Sequence, residues 1–527
     1  MIIEIIIFLV TSIVAYSLYS YKKYHNYFKQ RDVKYLPGIP IFGNAFKSTF
    51  LFKHLWEDID EIYRAFPNEK YVGYIEGMTP IIVVRDPDLI KSITVKDFDH
   101  FTDHRHFFTE ETEPLFGGSL LMMRGERWRD MRTTLSPAFT GSKMKLMMPF
   151  MTEVSNNIIN YLKEHQGEDI DAADLMRRYT NDVIASAAFG LQVDSLKDKD
   201  NEFYTIGQTL LNFTGTQRLI MYIYEVFPQL GKVLGLKFFP DRTVNFFREI
   251  VTSTMEYREK NKVERPDMIH LLMQASKGNL KQNSADSTEK DVGFAIAEDI
   301  TNTQGKIRDW SLTELTGQAF AFFAAGFETS STILTMCSHE LAINPDVQEK
   351  LYQEIKEFKE RNSTLTFENV GQLKYLDCVL NETFRKWSPA LIMDRVCTKP
   401  YELPPPKEGS KPYRIKPGDI IYNSVNSIHL DPKYYPQPKT FDPERFSEEN
   451  RHKLKPFTFM PFGIGPRNCI GSRFALLEIK VFLYNLILNY KILKCKQTTD
   501  PIELMPGDFN VKAKGGSWIK LEARSSI

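Results

Sequence analysis

The spacing of apolar residues differs between two regions of the chain. Residues 70–95 alternate apolar and polar side chains, which predicts a hairpin with strands on both sides of Gly77. From Trp128 to about residue 390, apolar side chains recur with helical spacing. Residues 276–310 are polar and aperiodic, which indicates a flexible surface loop inside this helical region.

Two helices stand out in the second half of the chain. Residues 311–342 predict one long helix, with Ser311 and Glu314 at the positions of a capping box. The middle of this helix is apolar on every face, so we expect it to be buried. Residues 472–490 predict a further helix.

The remaining C-terminal segments are irregular or short. Residues 400–460 are rich in proline, and we expect them to form an irregular segment. The tail from about residue 498 has the short alternating runs of a small sheet. The whole pattern predicts a mainly α fold with a minor β part.

The N-terminus has the pattern of a membrane anchor. Its apolar run, residues 1–21, just suffices for one helical span of about 20 residues. Lys22 and Lys23 begin a basic flank, which the positive-inside rule places in the cytosol. A cleaved signal peptide would carry its positive charge before the apolar run, so the pattern favours an uncleaved anchor. We therefore expect a transmembrane signal-anchor 1–21, a basic flank and proline-rich hinge 22–44, and a cytosolic body 45–527.

Composition narrows the function. The 527 residues are 42% hydrophobic and 25% charged, which excludes a disordered chain and a collagen-like fibre. Lysine and arginine total 67, as do aspartate and glutamate, so the net charge is zero and we expect no nucleic-acid partner. Aromatic residues make up 13% of the chain, which suits a packed core and also a large apolar pocket.

One of five cysteines lies in a segment suited to chemistry. The cysteines are scattered and odd in number, which favours a reducing compartment over a disulfide scaffold. Cys469 lies in the glycine-rich segment 462–471, just before the helix that should begin near Gly471. Free N–H groups at a helix N-terminus lower the pKa of a thiol, which favours an axial sulfur ligand to iron. The alternative is a buried structural cysteine in a turn.

The segment 462–471 matches the pattern Phe-x-x-Gly-x-Arg-x-Cys-x-Gly at every fixed position. Four further motifs precede this segment in the chain, in this order: Trp128-x-x-x-Arg132, Ala325-Gly326-Phe327-Glu328-Thr329, Glu382-x-x-Arg385 and Phe441-Asp442-Pro443-Glu444-Arg445-Phe446. On these motifs the chain resembles the cytochrome P-450 superfamily of haem-thiolate monooxygenases over essentially its whole length from Pro37. The runs FFAAGFETSST, NETFRKWSP and FGIGPRNCIGSRFAL are most similar to the clan of insect family-nine enzymes and mammalian drug-metabolising enzymes.

The resemblance implies a fold, a cofactor and partners. The fold would be the cytochrome P-450 fold, a helical haem domain with small β-sheets, behind one N-terminal transmembrane helix. The cofactor would be haem b (iron protoporphyrin IX), with O2 as co-substrate and lipophilic small molecules as substrates, either xenobiotics such as plant toxins and insecticides or endogenous lipids. NADPH would supply electrons through a partner NADPH–cytochrome reductase, with cytochrome b5 as a further candidate partner. The protein would be a single-pass microsomal protein of the endoplasmic reticulum membrane, with its catalytic domain on the cytosolic side.

The resemblance also assigns roles to residues. Cys469 would be the axial iron ligand, and Thr329 and Glu328 would deliver protons during oxygen activation, with Gly326 opening the helix over the flat cofactor. The candidates for holding haem and its propionates are Trp128, Arg132, Arg395, Arg467, Phe462 and Gly463, with a further contact from either His104 or Arg105. Structural support would come from Glu382, Arg385 and Arg445. The substrate pocket would be lined by Phe320, Phe323, Ala324, Ala390, Leu391, Ile392 and Phe509.

Plainer interpretations of these residues stay open. Each arginine could be a surface charge, the Glu382–Arg385 pair could be a solvated bridge of little worth, and each pocket residue could belong to the core. A haem-thiolate isomerase or dehydratase is a second functional hypothesis, disfavoured by the pair Glu328-Thr329. A non-enzymatic haem-binding protein is a third.

The electron source must lie outside the chain, because no glycine-rich dinucleotide fingerprint follows a predicted strand. A basic cluster lies around the helix that starts near Trp128, and its members are Arg124, Arg127, Arg129, Lys143 and Lys145. The cluster is either a docking surface for an acidic reductase or a solvated charged face.

Overall fold

The computed structural model describes residues 2–106, 108–211, 215–276 and 310–524. The α-helices are α1 Ile2–Lys29, α2 Phe46–Thr49, α3 Leu55–Ala65, α4 Pro87–Lys91, α5 Pro114–Gly117, α6 Gly125–Leu135, α7 Gly141–Glu164, α8 Ala172–Ile184, α9 Glu202–Leu211, α10 Gly215–Val226, α11 Pro228–Val233, α12 Asp241–Asn261, α13 Met268–Ser276, α14 Leu312–Ile343, α15 Pro345–Arg361, α16 Lys374–Lys386, α17 Val425–His429 and α18 Ser472–Asn489. The strands are β1 Tyr71–Glu76, β2 Thr79–Val84, β3 Asp169–Asp171, β4 Ile392–Val396, β5 Tyr401–Leu403, β6 Tyr413–Ile415, β7 Ile420–Ser424, β8 Tyr490–Leu493 and β9 Trp518–Ala523. The expectation of a mainly helical protein with small sheets is confirmed.

The largest sheet has the strand order β1-β2-β7-β4. The hairpin expected around Gly77 is present: β1 and β2 are antiparallel from Tyr71↔Val84 to Glu76↔Thr79, and Gly77 turns between them with φ +55°. The central strand β7 runs parallel to β2 and antiparallel to β4. It falls inside the segment 400–460 that we expected to be irregular, so that expectation is wrong for this strand. All five residues of β7 are buried, which removes the alternation that would mark a strand in the sequence.

The other sheets are smaller. In one, β9 of the tail pairs with β8 and with the distant strand β3. The other is the two-stranded pair β5 and β6. The small sheet expected in the tail is therefore confirmed, although only β9 and β8 come from the C-terminal part of the chain.

The long helix α14 forms the centre of the helical region. Ser311 accepts a hydrogen bond from the backbone N–H of Glu314, and the Glu314 carboxylate accepts one from Ser311, so the expected capping box is present. The helix packs against α5, α8, α12, α16 and α18. Among the described residues it is also the one helix long and apolar enough to cross a membrane by length and composition, and it is mostly buried inside the protein. Its apolar character therefore reflects a position in the core.

The N-terminal helix α1 joins the body at its C-terminal end. Phe28 is fully buried against Gly73 of β1, where an added Cβ would lie 2.8 Å from the ring. The Tyr413 hydroxyl donates a hydrogen bond to the Tyr27 hydroxyl at 2.7 Å. The following proline-rich segment also lies along β1, because Gly73 N–H donates to the Lys34 carbonyl at 2.8 Å. The anchor at residues 1–21 and the domain boundaries stay predictions, and the loop expected at 276–310 lies almost wholly outside the described residues.

Candidate active site

The cysteine loop is a tight turn that only glycine allows. Gly463 and Gly465 both have φ +76°, in the left-handed region. A Cβ on Gly465 would lie 2.0 Å from the Thr94 carbonyl oxygen, so the loop can only approach this backbone with glycine there. The Cys469 N–H donates to the Phe462 carbonyl at 2.8 Å and closes the loop. The Phe462 ring packs on Phe384 of α16 with ring centroids 5.0 Å apart.

Cys469 lies just before the N-terminus of α18. Its side chain is exposed although protein surrounds it, so the exposed surface faces the interior. The backbone N–H of Gly471, the residue that precedes α18, hydrogen-bonds the sulfur. The thiol pKa is nevertheless raised, because burial outweighs the lowering by this N–H and by Arg132. The expected lowering is therefore wrong for the thiol alone; a bound metal would remove its proton outright.

Two arginines hold the cysteine loop from opposite sides. Arg132 of α6 donates to the Asn468 carbonyl at 2.9 Å and to the Asn468 side-chain oxygen at 2.6 Å. Arg467 donates to the backbone carbonyls of Thr102 and Met123, both at 2.8 Å. Its guanidinium also stacks over the buried ring of Trp128, 4.0 Å from the centroid. These contacts tie residues 102–132 to the loop that carries Cys469.

A third buried arginine completes a cluster of positive charge. Arg395 of β4 donates to the Asp394 carbonyl at 2.7 Å, and its Nε has no hydrogen-bond partner among the described residues. Burial lowers the pKa of Arg395 to about 10. The pKa of Arg467 also lies well below its ordinary value, first because of burial and then because Arg395 is near. Buried cations that repel one another fit an anionic ligand, as the two propionates of haem would be.

His104 lies beside the buried arginines Arg395 and Arg467, whereas the side chain of Arg105 is directed elsewhere. His104 Nδ1 lies 2.9 Å from Asp394 Oδ1, and burial lowers its pKa while Arg395 and Arg467 lower it further. The Arg105 side chain instead pairs with Glu76. Of the two alternatives left open by the sequence, the structure places His104 beside the buried arginines.

The motif Glu382-x-x-Arg385 forms a fully buried ion pair. Arg385 donates to both Glu382 oxygens at 2.6 and 2.7 Å, and both side chains are 0% exposed. Arg445 Nε lies 3.4 Å from Glu382 Oε1. Arg385 also donates to the carbonyls of His429 at 2.9 Å and Pro438 at 2.8 Å. The network fastens α16 to the irregular segment that leads to the cysteine loop, and a solvated surface bridge is excluded for this pair.

His429 supports the same segment. Its Nε2 accepts a hydrogen bond from the Met460 N–H at 3.0 Å, and burial lowers the pKa of His429 to about 3, so the ring is neutral. Within the described ranges, no group of three or more His, Cys, Asp or Glu side chains is arranged to hold a metal ion.

The middle of α14 opens at two positions one turn apart. Ala325 and Thr329 are exposed, although the helix is otherwise largely buried from Phe327 onward. The Thr329 hydroxyl donates to the Ala325 carbonyl at 2.7 Å. Ser331 donates to the Glu328 carbonyl at 3.0 Å, whereas Ser330 Oγ has no hydrogen-bond partner among the residues that the structure describes. Ala325 and Thr329 are accessible on an otherwise buried helix, and the sulfur of Cys469 is accessible as well. Both observations fit a ligand bound inside the protein.

Glu328 lies on a different face of α14 from Thr329 and is buried. Arg177 of α8 donates to both of its oxygens at 3.1 and 3.2 Å, and Lys512 Nζ lies 3.5 Å away. The missing side chain of Gly326 also faces α8, because an added Cβ would lie 2.3 Å from Ile184 Cδ1. Gly326 therefore brings the two helices together, and its expected place beside the cofactor stays a prediction.

The comparisons with known proteins agree with this geometry. The family model described as Cytochrome P450 matches residues 33–519. The chain belongs to the cytochrome P450 family. Over 523 residues it is 43% identical to "Cytochrome P450 9e2" of Blattella germanica, an alignment covering 95% of each chain. Over 514 residues it is 40% identical to "Probable cytochrome P450 9f2" of Drosophila melanogaster, covering 95% of this chain and 96% of that one.

Membership makes the protein a cytochrome P450 monooxygenase and implies haem iron and O2. The accessible Cys469 sulfur and the buried arginines fit this cofactor. The relatives named from family nine also confirm the resemblance to the insect family-nine enzymes.

A cavity of about 420 Å³ lies beside α14 of this P450. Of the expected pocket residues, Ala324, Ile392 and Phe509 line it. Phe320 and Phe323 do not: both are 0% exposed and pack on the ring of Phe247 in α12 at 5.2 and 4.9 Å. Their face of the helix is turned to α12, so they lie outside this cavity, and their place in the substrate pocket stays a prediction. The apolar pattern could not distinguish a core face from a cavity face.

The remaining two candidates lie at the start of β4. Leu391 is buried in a small cluster with Met336 and Val511. The Ala390 carbonyl accepts a hydrogen bond from the Ser388 hydroxyl at 3.2 Å. Neither lines the cavity beside α14.

The sequence analysis missed the charged wall of the cavity. Glu76, Arg105, Glu225 and Tyr422 line it together with the apolar residues. One signal was available, because Glu76 ends the otherwise apolar strand β1. A single charge at a strand end is too common to indicate a cavity.

Proposed function

We propose that the protein is a membrane-anchored haem-thiolate monooxygenase that acts on lipophilic small molecules. The reaction would convert substrate-H, O2, two electrons and two protons to substrate-OH and water. The electrons would come from NADPH through a separate reductase. The accessible sulfur of Cys469, held by the Gly471 N–H at the start of α18, is the observation that carries the proposal.

The residues around Cys469 fit the cofactor by charge and by space. Cys469 would ligate the iron, and Arg395 and Arg467 would face the propionates because they are buried cations, with the ring of His104, whose pKa burial lowers, beside them. Arg132 would act through Asn468, by fixing the loop that carries the ligand. Haem bound there supplies the iron at which O2 is reduced and one oxygen atom is passed to the substrate.

Thr329 is suited to hold a proton donor at the open position of α14. Its own hydroxyl hydrogen points to Ala325 O, so Oγ1 is left as an acceptor toward the accessible side. Glu328 would relay protons from water to this position. Because Arg177 and Lys512 hold its carboxylate, proton transfer from Glu328 would require at least one of these pairs to open.

Exposed apolar side chains support a membrane-bound state. On α1, Phe8 is 71% and Tyr19 is 64% exposed, and Lys22 and Lys23 follow. A second apolar surface lies on the body, where Val233, the last residue of α11, is 83% exposed. Surfaces of this kind mark contacts with a partner or a membrane. We place α1 across the endoplasmic reticulum membrane, with the body on the cytosolic side.

The wall of the cavity reaches exposed apolar side chains. It includes Phe42 and Tyr222, whose rings stack at 5.3 Å, and the ring of Phe42 lies 5.0 Å from that of Phe50. The neighbouring Phe50 and Phe52 are exposed. Lipophilic substrates would therefore enter from the bilayer and pass directly into the cavity.

The docking surface for a reductase is weaker than the sequence indicates. Arg127 pairs with Glu110 at 2.5 Å and with Glu314 at 2.8 Å, and Arg129 pairs with Asp99 at 2.5 Å. Lys145 pairs with Glu368. The two remaining cations, Arg124 and Lys143, form no ion pair with another described residue. We propose that these two carry the attraction for an acidic partner.

Two measurements test the proposal. The reduced protein should give a strongly red-shifted Soret band with CO, which reports a thiolate ligand. With a reductase, it should consume NADPH and O2 and form an oxygenated product. Rearrangement of a peroxide without NADPH would instead favour the isomerase or dehydratase hypothesis, and haem binding without turnover would favour a haem-binding protein.

A further inference from the structure

The cavity beside α14 has an apolar part and a charged end. Most of its wall is apolar and aromatic, and includes Phe108, Phe116, Phe238 and Phe239. The charged end is formed by side chains from four different parts of the chain: Glu76 of β1, Arg105, Glu225 of α10 and Tyr422 of β7. We call this group the polar end of the cavity.

Hydrogen bonds within the polar end favour one carboxylate over the other. Arg105 Nη1 contacts Glu76 Oε2 and donates to the Tyr422 hydroxyl at 2.6 Å. The Tyr422 hydroxyl in turn donates to Glu76 Oε2 at 2.8 Å. Within the described part of the chain, Glu225 has one ion pair, the longer contact with Arg105 Nη2 at 3.3 Å. Glu76 is therefore well neutralised, and Glu225 is not.

The charges at the polar end do not balance. Two carboxylates, Glu76 and Glu225, share the guanidinium of Arg105, and all three side chains are at most 12% exposed. Asp394 also lines the cavity, but His104 and the Arg105 N–H hold its carboxylate. The other cation on the wall, Arg218, lies near Gly507. Burial, and then Glu76, raise the pKa of Glu225 to about 7 against the lowering by Arg105, in keeping with the unequal sharing of this guanidinium.

We infer that the cavity selects lipophilic substrates that carry a cationic nitrogen, and that Glu225 binds this nitrogen. The inference rests on the proposed function, because it treats the cavity as the substrate site. A cation at Glu225 supplies the missing counter-charge among side chains that are at most 12% exposed, where the attraction is stronger than in water. The apolar part of the substrate then lies along the aromatic wall toward Ala324 of α14.

Anionic ligands should bind weakly in this cavity. A carboxylate of the substrate would lie against Glu76 and Glu225 and would be repelled. A neutral apolar ligand would fill the aromatic part without contacting the polar end. The order of affinity should therefore be cation, neutral isostere, anion.

Three probes of one shape separate these contributions. They are 4-phenylbutyltrimethylammonium, its carbon isostere with a tert-butyl group in place of the trimethylammonium group, and 5-phenylpentanoate. The quaternary nitrogen has no lone pair to ligate iron and no proton to lose. Equilibrium dialysis of the haem-loaded protein in detergent, against detergent alone, gives the dissociation constant of each probe.

The wild-type protein should bind the ammonium probe about tenfold more tightly than the carbon isostere, and the carboxylate more weakly than both. The ammonium affinity should rise from pH 6 to pH 8 as Glu225 loses its proton, while the affinity of the isostere stays constant. Glu225→Gln should weaken the ammonium probe about tenfold, remove this pH dependence and leave the isostere unchanged. Glu256→Gln, at an exposed position of α12, should change neither probe.

Equal affinity of the wild-type protein for the ammonium probe and its isostere would overturn the inference without any variant. An equal loss of affinity for both probes in Glu225→Gln would also overturn it, since Glu225 would then act by shaping the cavity and not by its charge. Failure of the proposed function would show differently, as absence of the red-shifted CO band or of NADPH-dependent product in the wild-type protein.

Discussion

The hydroxyl of Thr329 donates its hydrogen to the carbonyl of Ala325, and both residues lie at the open point of a buried helix. This bond leaves Oγ1 of Thr329 with lone pairs and no spare hydrogen. Thr329 can therefore orient a donor by accepting its hydrogen bond.

This relationship predicts how Thr329 variants should behave. Thr329→Ala should keep haem and substrate binding but send electrons to peroxide and water, because only proton delivery is damaged. We expect product formed per NADPH to fall about tenfold. Thr329→Ser keeps the hydroxyl and should retain most of the coupling. Unchanged coupling in the alanine variant across several substrates would contradict this role.

Cys469 should be the only cysteine whose loss removes the thiolate signature. Cys469→Ala should abolish haem retention or the red-shifted CO band, because no other sulfur is held at the start of α18. Cys495→Ala is the matched control and should leave the spectrum unchanged. A Cys469→Ala protein that kept the band would rule out this ligand.

The buried Glu382–Arg385 pair should matter for stability rather than chemistry. Arg385→Leu leaves the Glu382 carboxylate buried with less compensation, which should cost about 3–5 kcal/mol. The denaturant midpoint for haem release measures the effect. Arg64→Leu, which breaks the more exposed pair with Asp60 on α3, should cost about 1 kcal/mol or less. Similar costs for the two variants would mean that the buried network is not special.

Glu478 of α18 predicts a pH-dependent stability. It is fully buried, and burial raises its pKa to about 8 although the nearby Ser330 hydroxyl lowers it. The folded protein therefore keeps a proton that the unfolded chain loses above about pH 4.5. This lowers stability as pH rises toward 8, by up to about 1.4 kcal/mol per pH unit.

Glu478→Gln removes this titration. Its stability relative to the wild-type protein should therefore increase from pH 5 to pH 8, as measured by urea midpoints at each pH. Glu256→Gln, at an exposed position, should show no such trend. A constant difference between Glu478→Gln and wild type across the range would show that Glu478 does not carry the raised pKa.

Charge reversal tests the proposed reductase surface. Arg124→Glu with Lys143→Glu should slow reduction by the partner about tenfold at low salt and flatten its salt dependence, because steering by opposite charge is lost. Lys199→Glu, between α8 and α9, is the control. Turnover driven by peroxide bypasses the partner and should be spared. Equal loss of both activities would indicate damage to the haem site and would refute the docking assignment.

What the sequence predicted well depends on local interactions. The cysteine loop depends on glycines within ten residues, and the capping box of α14 on two neighbouring residues, so both could be recognised in the sequence. Strand β7 was missed because burial on both faces removes the alternation of polar residues. Phe320 and Phe323 lie outside the cavity because α12, which is distant in sequence, covers their face of α14, and the apolar pattern alone could not show this.

The polar end of the cavity shows the same limit more strongly. Glu76, Arg105, Glu225 and Tyr422 come from segments separated by up to 346 residues. Each is an ordinary charged or polar residue in its own segment. Only the sheet register and the packing of α10 bring them together, so no local pattern could reveal them.

The burial of Phe28 over Gly73 has a practical consequence for making the protein in soluble form. Removing the whole of α1 would take away the ring that covers β1 and the Tyr27 hydroxyl that bonds Tyr413. A shortened chain that starts at Lys22 keeps both contacts and discards the exposed apolar turns together with the buried Ser17 and Ser20. Such a chain should fold with its haem, whereas one that starts after Val33 should be recovered in lower yield and with less bound haem.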